Sequence, residues 1–308
     1  MGLSSYVISR FSHRGYHQHE GARIGADPLE PERLELRFKI FEITCLPSIL
    51  GQTDQDFAWV IIVDRALPAI QRERLESLTR RGNLTVLQDF DTHADLMRLD
   101  WLPPDARPTG DRVLTINLDD DDALPRRFVG AARRRLSMLE ASGALPPIAF
   151  LGAKRIVQWD FATSSEAPLG WRAPWHRPAR VASAGFALCC RFPQFNFCAE
   201  GLRHRLAERY VDFTRAGGSP DVRVFQQEIL RISATLGEDV RAWSTDSLFF
   251  DVSAEAGPVL MTNHAVNDQA DRLEEAKEGM TVVTGPADFP EVAIDWEKAR
   301  RYADSFRR

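Results

Sequence analysis

The stretch that most constrains this chain is Arg112-Val113-Leu114-Thr115-Ile116-Asn117-Leu118, followed at once by Asp119-Asp120-Asp121-Asp122. The first part is rich in apolar strand formers and reads as a strand. In open α/β sheets, ligands bind beyond the carboxyl ends of the strands, which is where these acids stand. Carboxylates about 4 Å apart repel by roughly 4 kcal/mol at an effective dielectric near 20, so the run needs solvent or a bridging cation. Oxygen ligands suit Mn²⁺ or Mg²⁺, and Mg²⁺ shares its shell between carboxylates, water and phosphate oxygens. The same run also reads as a solvated acidic turn, with Asp122 capping a helix that begins near Pro125.

Upstream, strand and helix signals alternate. Residues 6–9 read as a strand that stops at the polar loop beginning Arg10-Phe11-Ser12-His13. From Glu30, the residues Leu34, Phe38, Phe41 and Cys45 fall on one helical stripe, which Pro47 should kink or restart. Residues 58–63 predict a second strand ending on Asp64, residues 68–80 a helix, and residues 84–87 a third strand. Beyond the acids, Pro125 stands at an expected first helical turn, with Phe128, Ala132, Leu136 and Leu139 turned inward. Further on, strands are expected at 148–151, 154–159, 184–190 and 247–252, and helices at 199–215 and 220–236. The pattern is that of an open α/β sheet flanked by helices. With 308 residues and 44% hydrophobic content, the chain can bury a large core. Residues 1–145 and 146–308 form two halves, the second less regular, within what reads as one continuous domain.

A formal net charge of −5 gives no global basic surface, which argues against a nucleic-acid partner. Four cysteines without a CxxC pair read as reduced, buried thiols, consistent with a cytoplasmic location. The N-terminus shows no basic region leading into a long apolar stretch, and no apolar run approaches the roughly 20 residues of a membrane-crossing helix. Arg133-Arg134-Arg135 and Arg300-Arg301 are the features open to peripheral contact with the inner membrane face or an anionic polysaccharide, although a solvated helix face explains them as well. There is no GxxxxGK[ST], GxGxxG or GxSxG, which removes the main support for a P-loop kinase, a dinucleotide oxidoreductase or an α/β-hydrolase.

Three segments in this order carry a resemblance: Leu46-Pro47-Ser48-Ile49-Leu50-Gly51-Gln52-Thr53, then Asp56-Phe57-Ala58-Trp59, then Leu118-Asp119-Asp120-Asp121-Asp122-Ala123-Leu124. Together they resemble the rhamnosyltransferase family within the GT-A glycosyltransferases, over roughly residues 5–270 and most strongly before residue 130. The resemblance implies a GT-A-like, Rossmann-like open mixed sheet with an acceptor-binding second half. It implies a metal-dependent transferase moving a sugar, such as rhamnose, from a dTDP-, UDP- or GDP-sugar to a saccharide or related hydroxyl, as in polysaccharide biosynthesis. By the same resemblance Ser9, Arg10, Phe11, Asp64, Asp119 and Asp120 would contact the donor, and Asp121 and Asp122 the metal. Met261-Thr262-Asn263-His264 resembles the segment that closes the donor site, so His264 would complete the metal shell. Gly217-Gly218 and Gln227-Glu228 match loosely the place of an inverting catalytic base. That implies Glu228 in the role, with Asp221 as competitor; the usual acidic pair is here Gln-Glu.

Other candidates stand on their residue types alone. His13, Arg14, His17 and His19 share one short loop that could grip phosphate oxygens or zinc, yet no thiol stands near them in sequence. Trp159, Trp171 and Trp175 lie in a stretch that reads as a loop, where indoles either stack on an acceptor sugar or anchor the loop in the core. Ser183-Ala184-Gly185-Phe186 reads as a small-residue approach for an acceptor or as a packing glycine. Two rival functions remain open at this point. One is a sugar nucleotidyltransferase, which should carry a glycine-rich basic loop after its first strand. The other is a non-catalytic cation- or carbohydrate-binding module, which should ignore nucleoside diphosphates.

Overall fold

A computed structural model describes residues 2–13, 27–80, 85–89, 102–146, 148–161, 169–175, 183–191, 248–264 and 279–306. Strand β1 (Leu3–Phe11) is followed by helices α1 (Pro31–Ile43) and α2 (Cys45–Leu50), strand β2 (Ala58–Val63), helix α3 (Ala69–Thr79), and strands β3 (Thr85–Asp89) and β4 (Arg112–Asn117). Helix α4 (Phe128–Ala141) then leads to β5 (Ile148–Gly152), β6 (Ile156–Asp160), β7 (Trp171–Trp175), β8 (Ala187–Arg191) and β9 (Leu248–Asp251). The short helix α5 (Ser253–Ala256), β10 (Val259–Asn263), β11 (Thr281–Val282) and α6 (Trp296–Tyr302) follow, and three 3-10 turns lie at Pro104–Ala106, Pro286–Asp288 and Ala303–Phe306.

A seven-stranded sheet runs in the order β3-β2-β1-β4-β8-β5-β9. Its β3, β2, β1 and β4 pair in parallel, whereas β8 lies antiparallel between β4 and β5, which makes the sheet mixed. Strands from before and after residue 145 therefore share one sheet, because β5, β8 and β9 extend the edge that β4 begins. A second sheet, β10-β6-β7-β11, stands beside it.

Burial explains why these segments became strands. Every residue of β4 is buried, as expected of a central strand covered on both faces. Alternate residues of β1 face two cores: Val7 and Phe11 join Phe38, Phe41 and Trp59 under the helices, while Tyr6 and Ile8 join Val60, Ile62 and Val113 on the other face. Phe11 packs on Phe38 and Phe41 with ring centroids 4.6 and 5.5 Å apart. Fully burying side chains of this size contributes about 1.5–3 kcal/mol each.

Three sequence expectations shift. The helix of the Leu34 stripe breaks at Thr44 rather than at Pro47, and Pro47 sits inside the first turn of α2. A proline ring clashes with the carbonyl four residues earlier, here that of Ile43, so the chain must leave the helix before the proline. Helix α4 begins at Phe128, not Pro125, because Pro125 pairs in an isolated bridge with Val292. Residues 171–175 form a strand, not a loop, pairing antiparallel with β6 and with β11. The expected helices at 199–215 and 220–236 lie outside the described residues.

Cys45, Cys189 and Cys190 are buried, while Cys198 lies outside the described residues. Burial pushes the Cys189 thiol up to about 12. The arginines of α4 are tied down within the chain: Arg133 pairs with Asp54 and Asp56, Arg134 with Glu255, and Arg135 lies over the Phe250 ring. Among the described residues, no helix is long and apolar enough to cross a membrane.

Candidate functional site

The chain leaves β4 at Asn117 and turns at once, with Asp122 N donating to Asp119 O at 3.2 Å. This turn gathers the four acids at the carboxyl end of β4, three of them buried. Asp119 points to Arg10 of β1, with Nη2 to Oδ1 at 3.2 Å. Asp120 receives Arg37 of α1 along the Nε–Nη2 edge, with Nε to Oδ2 at 3.3 Å. Asp121 Oδ2 accepts from Arg37 Nη1 at 2.9 Å and lies 3.0 Å from His264 Nε2. Asp122 turns towards the second sheet, where its Oδ1 accepts from Thr262 N at 3.0 Å.

The second sheet is stitched to this turn by backbone. Ala123 and Leu260 exchange hydrogen bonds of 2.9 Å in both directions, and Thr262 Oγ1 donates to Asp121 O at 2.8 Å. That pairing fixes His264, one residue past β10, against Asp121, a contact spanning 143 positions of sequence. Thr44, at the break between α1 and α2, adds a donor to Asp121 O at 3.2 Å. The helix break and the acid turn are therefore one construction.

The alternative in which Asp122 caps the following helix does not hold. Helix α4 starts six residues on, at Phe128, and has no side-chain cap. The Asp122 carboxylate is spent instead on the Thr262 backbone.

Burial and mutual repulsion govern the charges. Asp120 is pushed up to about 7 by burial, against the pull of Arg37 and with further upward push from Asp121 and Asp119. Burial also raises Asp122 well above the usual carboxylate range, with Asp121 and Asp119 adding to it. Asp121 goes the other way: burial raises it, but Arg37 and His264 outweigh that and hold it well below the usual range. Ionising all four acids together would therefore exceed what Arg10 and Arg37 balance, and a further cation in the cluster would favour that fully ionised state.

The donor set fits a hard divalent ion. One ligand oxygen each of Asp119, Asp121 and Asp122 lie within 4.8 Å of one another. Oxygens of this kind are ligands that Mn²⁺ and Mg²⁺ accept, and the imidazole nitrogen 3.0 Å from Asp121 Oδ2 suits the transition ion Mn²⁺ better than Mg²⁺. Uncommitted acceptors flank the acids. Asn117 Oδ1, Asn263 Oδ1 and Ser12 Oγ are buried with no hydrogen-bond partner among the described residues, although buried polar atoms are rarely left so. Ser12 also holds φ +47°, a backbone state costly for a residue with a side chain.

The remaining sequence candidates are placed as follows. Ser9 is fully buried and its Oγ accepts from Trp59 Nε1 at 3.0 Å, and Phe11 belongs to the core. Asp64 closes the turn after β2, accepting from Ala66 N at 2.8 Å. Trp159 is fully buried in β6 among Phe161, Phe289 and Trp296, with its indole N–H donating to Leu169 O at 3.2 Å; this is the core-anchor alternative. Trp171 is half-buried on β7, and the backbone of Trp175 ends the same strand. Gly185 is a packing glycine: it holds φ +74°, and a Cβ there would stand 2.7 Å from the Phe128 ring. Glu228, Asp221, Arg14, His17 and His19 lie outside the described residues.

Sequence reasoning missed Arg37, Thr44 and Asn117, and it named Thr262 and Asn263 only as part of the segment expected to close the donor site. Arg37 did leave a signal. It falls three residues after Leu34 and four before Phe41, on the edge of an otherwise apolar stripe, where a charge needs a buried partner.

A family profile described as "Putative rhamnosyl transferase" matches residues 6–171, which contain most of β1, all of β2 to β6 and the entire acid turn. The chain belongs to this family. Its α/β fold is an open mixed sheet with flanking helices, the fold class that the sequence pattern implied. No curated protein matches the sequence. Among solved structures, S. aureus TarS 1-349 in complex with UDP-GlcNAc is similar at 10% identity and a TM-score of 0.38, with 99% of this chain and 71% of that chain covered. A putative nucleotide-diphospho-sugar transferase from Desulfovibrio desulfuricans G20 is similar at 10% identity and a TM-score of 0.37, with 99% and 98% covered. The inositol-1-phosphate CTP transferase from T. maritima is similar at 12% identity and a TM-score of 0.32, with 92% and 99% covered. In two further matches this chain covers 35% of TarS 1-349 and 22% of TarS.

Proposed function

We propose that this member of the rhamnosyl transferase family is a metal-dependent glycosyltransferase that moves a sugar from a nucleoside-diphosphate donor to a saccharide or related hydroxyl. The observation that carries the reading is the buried acid turn at the end of β4, with His264 delivered 3.0 Å from Asp121 by the second sheet. Asp119, Asp121, Asp122 and His264 would hold Mn²⁺ or Mg²⁺. Such an ion, when bound, supplies positive charge beside a departing diphosphate.

Arg10, packed on Asp119 at the tip of β1, stands where phosphate oxygens would lie beside the acid turn. Asp64, at the tip of the neighbouring parallel strand, is our candidate for the ribose or base. The uncommitted amide oxygens of Asn117 and Asn263 supply acceptors for sugar hydroxyls. The acceptor hydroxyl attacks the anomeric carbon, a new C–O bond forms as the bond to the diphosphate breaks, and a carboxylate takes the hydroxyl proton. We assign that carboxylate to Glu228, with Asp221 as second choice, and inversion at the anomeric carbon, both on family resemblance. Rhamnose as the transferred sugar, Trp171 and Trp175 as acceptor contacts, and work on the cytoplasmic side of a membrane complete the reading.

Calorimetric titration with UDP, GDP and dTDP, each with and without Mn²⁺, tests it. One diphosphate should bind in a Mn²⁺-dependent way, and hydrolysis of the matching nucleotide sugars then identifies the donor. Indifference to all three diphosphates in both conditions would leave a binding module and end the transferase reading.

A further inference from the structure

Arg37 reaches the acid turn from α1 and uses both edges of its guanidinium. Nε and Nη2 take the two oxygens of Asp120, while Nη1 stands 2.9 Å from Asp121 Oδ2 and 3.5 Å from His264 Nε2. Asp120 is almost fully buried and does not belong to the Asp119, Asp121 and Asp122 set whose ligand oxygens converge. Its carboxylate is occupied in holding the arginine.

We propose that Arg37 is a resident internal cation: anchored on Asp120, it competes with a divalent ion for Asp121, on the edge that Asp121 shares with His264, and so sets how tightly the site takes that ion. The inference rests on the cation-binding reading given under Proposed function.

Three arguments support it. First, the planar fork of arginine can stay bidentate on one carboxylate while its remaining nitrogen serves other acceptors, which the single ammonium of lysine cannot do. Second, Asp121 Oδ2 and His264 Nε2 lie 3.0 Å apart, the separation of adjacent ligands about 2.1 Å from one ion at right angles. Nη1 borders that same edge. Facing a carboxylate that only accepts, His264 Nε2 carries a proton while no ion is bound and gives it up to become a ligand, so Nη1 and the ion contend for Asp121 Oδ2. Third, the guanidinium charge persists at any working pH and repels a second cation beside it. Displacing Nη1 need not free the whole side chain, since the Asp120 contact can remain.

The test uses Mn²⁺ alone, titrated calorimetrically into the full chain and into Arg37→Gln and Arg37→Lys, with thermal denaturation in EDTA and in Mn²⁺. Arg37→Gln should bind Mn²⁺ at least tenfold more tightly, which is about 1.4 kcal/mol. It should melt below the parent in EDTA, where four acids have lost a counter-ion, and show the larger rise on adding Mn²⁺. Arg37→Lys should tighten Mn²⁺ by a smaller factor, and it carries the test if the glutamine chain does not fold. Mn²⁺ affinity in the variants equal to or weaker than a Mn²⁺-binding parent overturns the competition and leaves the site reading standing. Absence of Mn²⁺ binding in parent and variants overturns both.

Discussion

Asp122 allows the structural and ion-holding roles of the acid turn to be separated, because its oxygens do different work. Oδ1 accepts the Thr262 backbone N–H at 3.0 Å, inside the closure between the acid turn and β10. The negative charge itself is a burden there, since burial and the neighbouring Asp121 and Asp119 all disfavour it. Asp122→Asn keeps a carbonyl oxygen for Thr262 and removes the charge. Asp122→Ala removes both and strands a buried N–H, at a cost of about 1–3 kcal/mol. In EDTA, therefore, the asparagine chain should melt at or above the parent and the alanine chain several degrees below it. In Mn²⁺ the order should invert for asparagine. An ion at about 100 times its Kd stabilises the parent by about 2.7 kcal/mol, and the asparagine chain should gain little of this. Thermal denaturation of the three chains with and without Mn²⁺ reads both effects. The reasoning is refuted if asparagine and alanine destabilise alike in EDTA, which would make the ionised carboxylate the structural element. It is equally refuted if the asparagine chain keeps the parent's full response to Mn²⁺.

Two further changes probe the frame that presents the site. Gly185→Ala combines a left-handed backbone, φ +74°, with a Cβ 2.7 Å from the Phe128 ring, and should cost about 1–3 kcal/mol in urea denaturation; an unchanged midpoint would show that Phe128 gives way freely. Glu42 is nearly buried and holds both Arg74 at 2.8 Å and Lys298 at 2.7 Å, joining α1 to α3 and α6. Because both cations are about a quarter to a third exposed, Glu42→Gln should cost only about 1–2 kcal/mol, less than a fully buried pair would. The loss should shrink in 1 M salt if screening, rather than packing, is its source.

What could be read from the sequence follows the range of each interaction. Strands β2 and β4 were legible because a run such as Trp59-Val60-Ile61-Ile62-Val63 has to be covered on both sides wherever it lies, and the acids after Leu118 gave the position of the site for the same local reason. Helix starts were less legible. Pro125 satisfies every local rule for a first helical turn, yet its pairing with Val292, far along the chain, holds it outside the helix. Strand β7 was hidden because Pro174 and the neighbouring tryptophans read as loop, and only its pairing with β6 and β11 makes it a strand. The site divides in the same way. Its acids are contiguous and visible, whereas what orders them comes from β1, α1 and β10 as Arg10, Arg37, Thr262 and His264. No short-range pattern joins Arg37 to Asp121. A charge on the rim of an apolar helix stripe is nevertheless a legible demand for a buried partner, and a run of four acids is a legible surplus of negative charge. Matching such unmet demands across a sequence, rather than searching for motifs alone, is the step that would have paired the two before any fold was known.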